Sequence, residues 1–174
     1  MRIRSTKPEF WRSKTIAQLD YFTRLVLKAL EAYVDDNGVG KDPIESVVIF
    51  CADAFPHDLA RDPSSICTQV TRSLQTLCEH NLAVRYSVDE EPYIYVRRWK
   101  KWQYIDRPNK GRHPRPDGTM EYKDTVDESI VAGQGVTDPV DGVALRETCP
   151  QLAPNVPPSC PQNPSGEQGN RGTE

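Results

Sequence analysis

Apolar positions along the chain form three stretches with helical spacing, followed by a change of period. In "DYFTRLVLKALEAYVDDNG" (20–38), Phe22, Val26, Ala29, Leu30 and Tyr33 recur at helical spacing, and Leu25 and Leu27 widen the stripe. This predicts a central helix. Asp20 offers a carboxylate to the free amide protons of its first turn. Asn37-Gly38 suits the left-handed backbone of a helix stop. "GKDPIESVVIFCADAF" (40–55) predicts a second helix capped by Asp42, with Pro43 at the first helical position, where its missing N–H costs nothing. Ile44, Val47, Val48 and Cys51 form its buried side, and Pro56 ends it. "ARDPSSICTQVTRSLQTLCEHN" (60–81) repeats the signal with Asp62 and Pro63. Ile66, Val70, Leu74, Leu77 and Cys78 share one face of this third helix; Ser65, Gln69, Arg72 and Thr76 share the other.

The period then becomes two. In "LAVRYSV" (82–88), Leu82, Val84, Tyr86 and Val88 alternate with Ala83, Arg85 and Ser87. "DEEP" reads as a turn, and "YIYVRRW" returns with Ile94 and Val96 opposed to Tyr93, Tyr95 and Arg97, which predicts a β-hairpin. Arg98 stands where the alternation calls for an apolar residue, so a bulge or strand end falls near Arg97-Arg98, and Trp99 and Trp102 turn back onto the core. Before the central helix, Pro8 interrupts a basic arm and a short helix is expected around 13–18. A short strand is expected near Val39. The fold expected is mainly α with a small β-hairpin, in the order of a winged helix-turn-helix.

Composition sets the limits of that domain. After Ile105 the only aromatic residue is Tyr122, whereas ten of the 15 prolines and eight of the ten glycines lie there. Such a segment buries too little apolar surface to offset roughly 1–2 kcal/mol of backbone entropy per residue. The expected organisation is a folded domain over 1–105, a basic arm over 106–116, and a disordered, acidic, Pro/Gly-rich tail over 117–174. The formal net charge of −3 conceals an asymmetry: residues 1–115 carry 19 Lys and Arg against 15 Asp and Glu, and residues 116–174 carry 3 against 10. There is no run near the ~20 apolar residues of a membrane span and no apolar signal-peptide stretch. Five cysteines without a Cys-x-x-Cys spacing fit reduced thiols in a cytoplasmic protein.

Little in this sequence suggests an enzyme. It has no Gly-rich phosphate loop, no His-Glu-x-x-His and no nucleophile elbow, so no catalytic residue and no cofactor is expected. Cys78 and His80 are the nearest approach to a metal pair, but at i and i+2 on a helix their side chains diverge by about 160–200°. No metal site is expected, and Cys51, Cys67 and Cys78 read as small core or near-core residues. The polar face of the third helix is the sharper signal. Ser65, Thr68, Gln69 and Arg72 can hydrogen-bond base edges without repelling phosphate; a solvated face is the plain alternative. Residues 97–116 hold eight Lys or Arg against Asp106 alone, a phosphate-attracting stretch unless it is merely a solvated linker. Arg2, Arg4, Lys100, Lys101, Arg107, Lys110 and Arg112 are the candidate phosphate contacts. The hairpin tip, Asp89-Glu90-Glu91, points the other way: three acids repel a phosphate backbone, so the tip faces away from DNA or towards a protein.

"RIRSTKPEFW" (2–11) resembles the Arg-Ile-Arg-x-Ile-Lys-Pro-Glu-Phe-Trp opening of small phage and prophage helix-turn-helix proteins. "YVDDNG" (33–38) is similar to their Ala-Asp-Asp-Glu-Gly turn. "YIYVRRWKKWQYIDRP" (93–108) looks like their hairpin strand with Trp, Gln and Arg/Lys-Pro, although many members have His where this chain has Trp102. The family is related to the winged-helix N-terminal domains of phage replisome organisers. The resemblance implies binding of double-stranded DNA in a bacterial host's cytoplasm, at a replication origin or as a transcriptional regulator. Replication or transcription proteins and a second copy of the chain are candidate partners. The alternative function is a protein-docking module engaging such a protein.

Overall fold

The computed structural model describes residues 1–127; the part of the expected tail beyond Asp127 lies outside the described residues. The elements are α1 (Pro8–Arg12), α2 (Lys14–Ala17), α3 (Tyr21–Tyr33), β1 (Val39–Lys41), α4 (Val47–Ala54), α5 (Pro56–Arg61), α6 (Pro63–Glu79), β2 (Ala83–Val88), β3 (Glu91–Val96) and α7 (Trp99–Trp102). The fold is rich in helix, with one three-stranded antiparallel sheet in the order β1-β3-β2.

Caps define the two long helices. The Thr23 N–H donates to Asp20 Oδ1 at 3.0 Å, and the Ser65 N–H to Asp62 Oδ1 at 3.0 Å, each satisfying a first-turn donor that the helix itself cannot. The stripe on α3 buries Val26, Leu27 and Leu30 against Val70, Leu74 and Leu77 of α6. Thr23 Oγ1 and Ser73 Oγ hydrogen-bond at 3.1 Å where the two helices cross. Cys51 and Cys67 are buried and Cys78 is half-buried; burial pushes the Cys51 thiol up to about 12 and that of Cys78 to about 11.

The second helix begins later than its sequence signal. Asp42 Oδ1 accepts from the Ile44 N–H at 3.0 Å, closing a local turn two residues on, and its other oxygen pairs with Arg85. Residues 43–46 are therefore a turn, and α4 starts at Val47. Pro56 ends α4 and also opens α5, an element the sequence reading did not contain.

The hairpin turns on two residues. Val88 pairs with Glu91, and Asp89 and Glu90 both take left-handed angles, φ 50° and 64°, the backbone of a type I′ turn. β3 ends at Val96, and Arg98, at φ 53°, swings the chain into α7 so that Trp99 returns to the core at 1% exposure. The Trp99 indole N–H donates to the Asp36 carbonyl at 2.8 Å. Gly38, at φ 79°, passes so close to this ring that an added Cβ would stand 2.6 Å from it. Only glycine meets both demands.

One face of the sheet, with Ala83, Ile94 and Val96, lies on the helices. The opposite face carries Tyr86, Tyr93 and Tyr95, also buried. Segment 103–127 covers it: the Tyr86 hydroxyl donates to the Pro114 carbonyl at 2.7 Å, and the Tyr93 and His113 rings lie 5.3 Å apart. The segment expected to leave the domain as a basic arm instead packs back onto it, and hydrogen-bonded structure continues past residue 105 to 127. Among the described residues no helix is long and apolar enough to cross a membrane.

Candidate nucleic-acid interface

On α6 the 3.6-residue period that buries Ile66, Cys67, Val70, Ser73, Leu74 and Leu77 leaves Ser65, Thr68, Gln69 and Arg72 exposed together. Gln69 Nε2 donates to Ser65 Oγ at 2.9 Å, and Thr68 Oγ1 back to the Ser64 carbonyl at 2.9 Å. These are weak intrahelical contacts, easily exchanged for others. The face therefore presents one guanidinium, one amide and two hydroxyls, with acids only near its ends, at Asp62 and Glu79. Such groups can donate to and accept from base edges.

The seven candidate phosphate contacts divide into two groups. Arg4 is consumed internally. Its side chain is 9% exposed. It donates to the carbonyls of Glu31 (3.1 Å), Val34 (3.0 Å) and Asp35 (3.0 Å) and to Asp36 Oδ1 (3.2 Å), and it lies over the Trp99 ring at 5.0 Å. Arg2 also pairs with Asp36. Lys100 Nζ donates to the carbonyls of Lys123 (3.0 Å) and Asp124 (2.6 Å), and burial lowers its pKa. The sequence assigned these three cations to phosphate because their internal acceptors lie far away along the chain. Lys100 is nevertheless exposed, as are Lys101, Arg107, Lys110 and Arg112, and its carbonyl bonds are what set it apart from those four. Arg107 lies 3.8 Å from Asp106, and Lys110 lies 3.6 Å from Glu121. Arg112 is held by its backbone N–H, which donates to Asp35 Oδ2 at 2.8 Å.

What the sequence reading missed is the turn that receives these groups. Asp35, Asp36 and Asn37 are all buried. Asp35 Oδ1 accepts from the N–H groups of Asn37 (2.8 Å) and Val39 (3.1 Å), and Asp36 Oδ2 from the Asn109 N–H (3.0 Å) and amide (3.1 Å). Burial works to raise the Asp36 carboxyl, but the hydrogen bonds from Asn109 and Arg2, with the Arg2 charge, outweigh it and bring it down to about 2. Beside this turn Arg2, Tyr33, Asp35, Lys41, Arg112 and His113 line an open groove of about 210 Å³. The one available signal was charge: two adjacent acids in "DDNG" exceed what a helix stop needs, and the chain carries surplus cations on both flanks.

At the hairpin tip Asp89 and Glu90 are exposed, and Glu91 pairs with Lys41. Among the described residues no cluster of His, Cys, Asp or Glu could hold a metal ion. Comparison of the chain with protein-family models, with curated proteins and with solved structures gives no match.

Proposed function

We propose that this chain binds duplex DNA with sequence preference, as a winged helix-turn-helix in which α6 enters the major groove. The observation that carries the reading is the α6 face of Ser65, Thr68, Gln69 and Arg72. It is exposed, polar and free of acid along its middle, and it is fixed in place by a fully buried opposite side. The element order supports it: α3, β1, the α4–α5 pair, α6 and a hairpin, with β1 hydrogen-bonded to β3. In that reading α5 precedes the reading helix by a single residue and Asp62 turns the chain between them. Lys101, Arg107, Lys110 and Arg112 neutralise backbone phosphates, while Arg2, Arg4 and Lys100 hold the fold together. The opening motif suggests a phage-type protein in a bacterial cytoplasm, acting at a replication origin or an operator.

A second reading, a docking module for a replication or transcription protein, is favoured by one feature: the exposed acids Asp89 and Glu90 at the hairpin tip, where a DNA-gripping wing carries cations. Selection of bound sequences from a pool of random duplexes separates the two. Enrichment of a defined motif, lost in Arg72→Ala, supports DNA reading. Absence of duplex binding at low salt sinks it and leaves docking.

A further inference from the structure

Far from the polar face of α6 in sequence, the N-terminal arm and α7 lie side by side. Gln103 Nε2 donates to the Ser5 carbonyl at 2.9 Å, and Lys7 Nζ to the Lys101 carbonyl at 2.6 Å. The two segments therefore run antiparallel, residue 5 beside 103 and residue 7 beside 101. Lys7 is the N-cap residue of α1, and Trp11 stands four residues on, in the helix itself. Tyr104 stands three residues beyond Lys101, at the other end of the pairing. These two aromatic residues are 69% and 76% exposed. Trp11 meets Phe10 edge to face, with ring centroids 4.9 Å apart, an arrangement that steadies the indole while leaving it open to solvent. Along the paired segments the exposed residues run Trp11, Lys101, Tyr104, with Lys7 holding the two segments together.

Further charge surrounds it. Arg12 and Lys14 are exposed within three residues of Trp11, and Glu9 is the only acid between Met1 and Ala17. A protein surface seldom leaves a tryptophan so exposed without use, since burying an aromatic ring is strongly favourable. Flat rings spaced by lysines match a chemistry different from that of a groove-entering helix: unpaired bases stack on the rings while phosphates meet the ammonium groups. A duplex keeps its base faces covered and cannot use such a platform.

We propose that the surface formed by Trp11, Lys101 and Tyr104, with Arg12 and Lys14 beside it and Lys7 joining its two halves, binds single-stranded nucleic acid without sequence preference. Bases stack on Trp11 and Tyr104, and phosphates lie against the exposed Lys101, Arg12 and Lys14. The site does not depend on α6. Lys101, which the proposed function assigns to duplex phosphate, is common to both surfaces, so on that reading a duplex and the single strand opened next to it meet at this residue.

The test uses the full chain, a short fluorescein-labelled oligothymidylate and, in parallel, a labelled duplex, by fluorescence anisotropy at low and moderate salt. Trp11→Ala and Tyr104→Ala each weaken oligothymidylate binding roughly tenfold, the scale of one lost base stack, and leave duplex binding unchanged. Trp11→Phe, which keeps a ring, retains most of the affinity, so loss in Trp11→Ala is not a folding defect. Arg72→Ala behaves oppositely, changing the duplex and sparing the single strand. Oligothymidylate affinity untouched by both alanine variants, or no binding by the wild type at low salt, overturns the proposal whatever the duplex does. Equal weakening of duplex and single strand by Trp11→Ala overturns it as well, because the surface is then not specific to unpaired bases.

Discussion

The Arg115 guanidinium donates to the Asn37 side-chain carbonyl at 3.1 Å, joining two buried residues 78 positions apart. Arg115 also donates to the carbonyls of Glu121 (2.9 Å) and Asp124 (3.3 Å), while Asn37 Nδ2 donates to the Met120 carbonyl. One guanidinium thus ties the turn after α3 to the loop that covers the tyrosine face of the sheet. Its five donors in a fixed fork suit several acceptors at once.

Arg115→Ala leaves the buried Asn37 side-chain carbonyl without its donor, at a cost of about 1–3 kcal/mol, while the Asp124 carbonyl keeps Lys100 and the Glu121 carbonyl keeps the Asp124 N–H. Truncation after residue 105 removes the whole cover and exposes Tyr86 and Tyr93. Chemical denaturation of the variant, and limited proteolysis of the full chain, check this. The protected core is expected to extend past residue 105 and to include the loop around Arg115, and a stable core ending at 105 would refute it.

That boundary marks how far the sequence could be read. The stripes on α3 and α6, their Asp caps, the hairpin and the return of Trp99 were legible because each is local: a period, a cap, a break in alternation. β1 near Val39 was legible for the same reason. Segment 103–127 was not, because its order comes from polar partners such as Asp35, Asp36 and Asn37 rather than from apolar content. Apolar content was the criterion that placed residues 106–116 in an arm and 117–127 in a tail. The same cause misplaced Arg4: three of its internal acceptors are carbonyls, which no side-chain pattern reveals, and the fourth is Asp36, 32 positions away. The late start of α4 belongs here too, since Arg85, 43 positions away, occupies the Asp42 carboxylate. On the candidate site the α6 face was readable as a polar stripe, whereas the pairing of the N-terminal arm with α7 was not.

Asp36 gives the fold a defined acid response. Its folded carboxyl titrates at about 2 against an ordinary 3.8. A depressed acid stabilises the fold above its unfolded value, and that stability is lost as pH falls through about 4 towards 2. The contribution is about 1–2 kcal/mol after allowance for solvent screening. Asp36→Asn is expected to be less stable than wild type at neutral pH, with the difference vanishing near pH 2. Urea unfolding of both proteins across this range measures it; a constant difference at all pH values contradicts the assignment.

Glu90 holds φ 64° at the hairpin tip, a conformation that costs a residue with a Cβ roughly 1 kcal/mol or more. Glu90→Gly relieves that cost and is expected to raise stability by about 0.5–1 kcal/mol, net of the entropy glycine adds to the unfolded chain. The same substitution removes one acid from the tip. If the tip docks a basic protein, affinity for that partner falls; if it only closes the turn, thermal stability alone changes.

On the proposed DNA-binding function the cations divide into readers, holders and struts, and each predicts a different result. Arg72, exposed on α6, reads bases: Arg72→Ala costs roughly 1–3 kcal/mol on the preferred duplex and flattens discrimination between sites. Lys101 and Arg107 are exposed holders of phosphate: Lys101→Ala weakens all duplexes about equally and lowers the slope of log affinity against log salt by roughly one. Lys100 is a strut. Its ammonium is committed to the carbonyls of Lys123 and Asp124, so Lys100→Ala lowers stability and leaves the salt slope unchanged. Arg4→Ala behaves like Lys100→Ala but more severely, since it removes the donor to the Glu31 and Val34 carbonyls and one of the two cations on Asp36. Anisotropy titrations at several salt concentrations, paired with denaturation of each variant, separate the classes. Two neighbouring lysines of equal charge then give opposite outcomes, and a salt slope reduced equally by Lys100→Ala and Lys101→Ala would show that the carbonyl contacts of Lys100 give way to DNA.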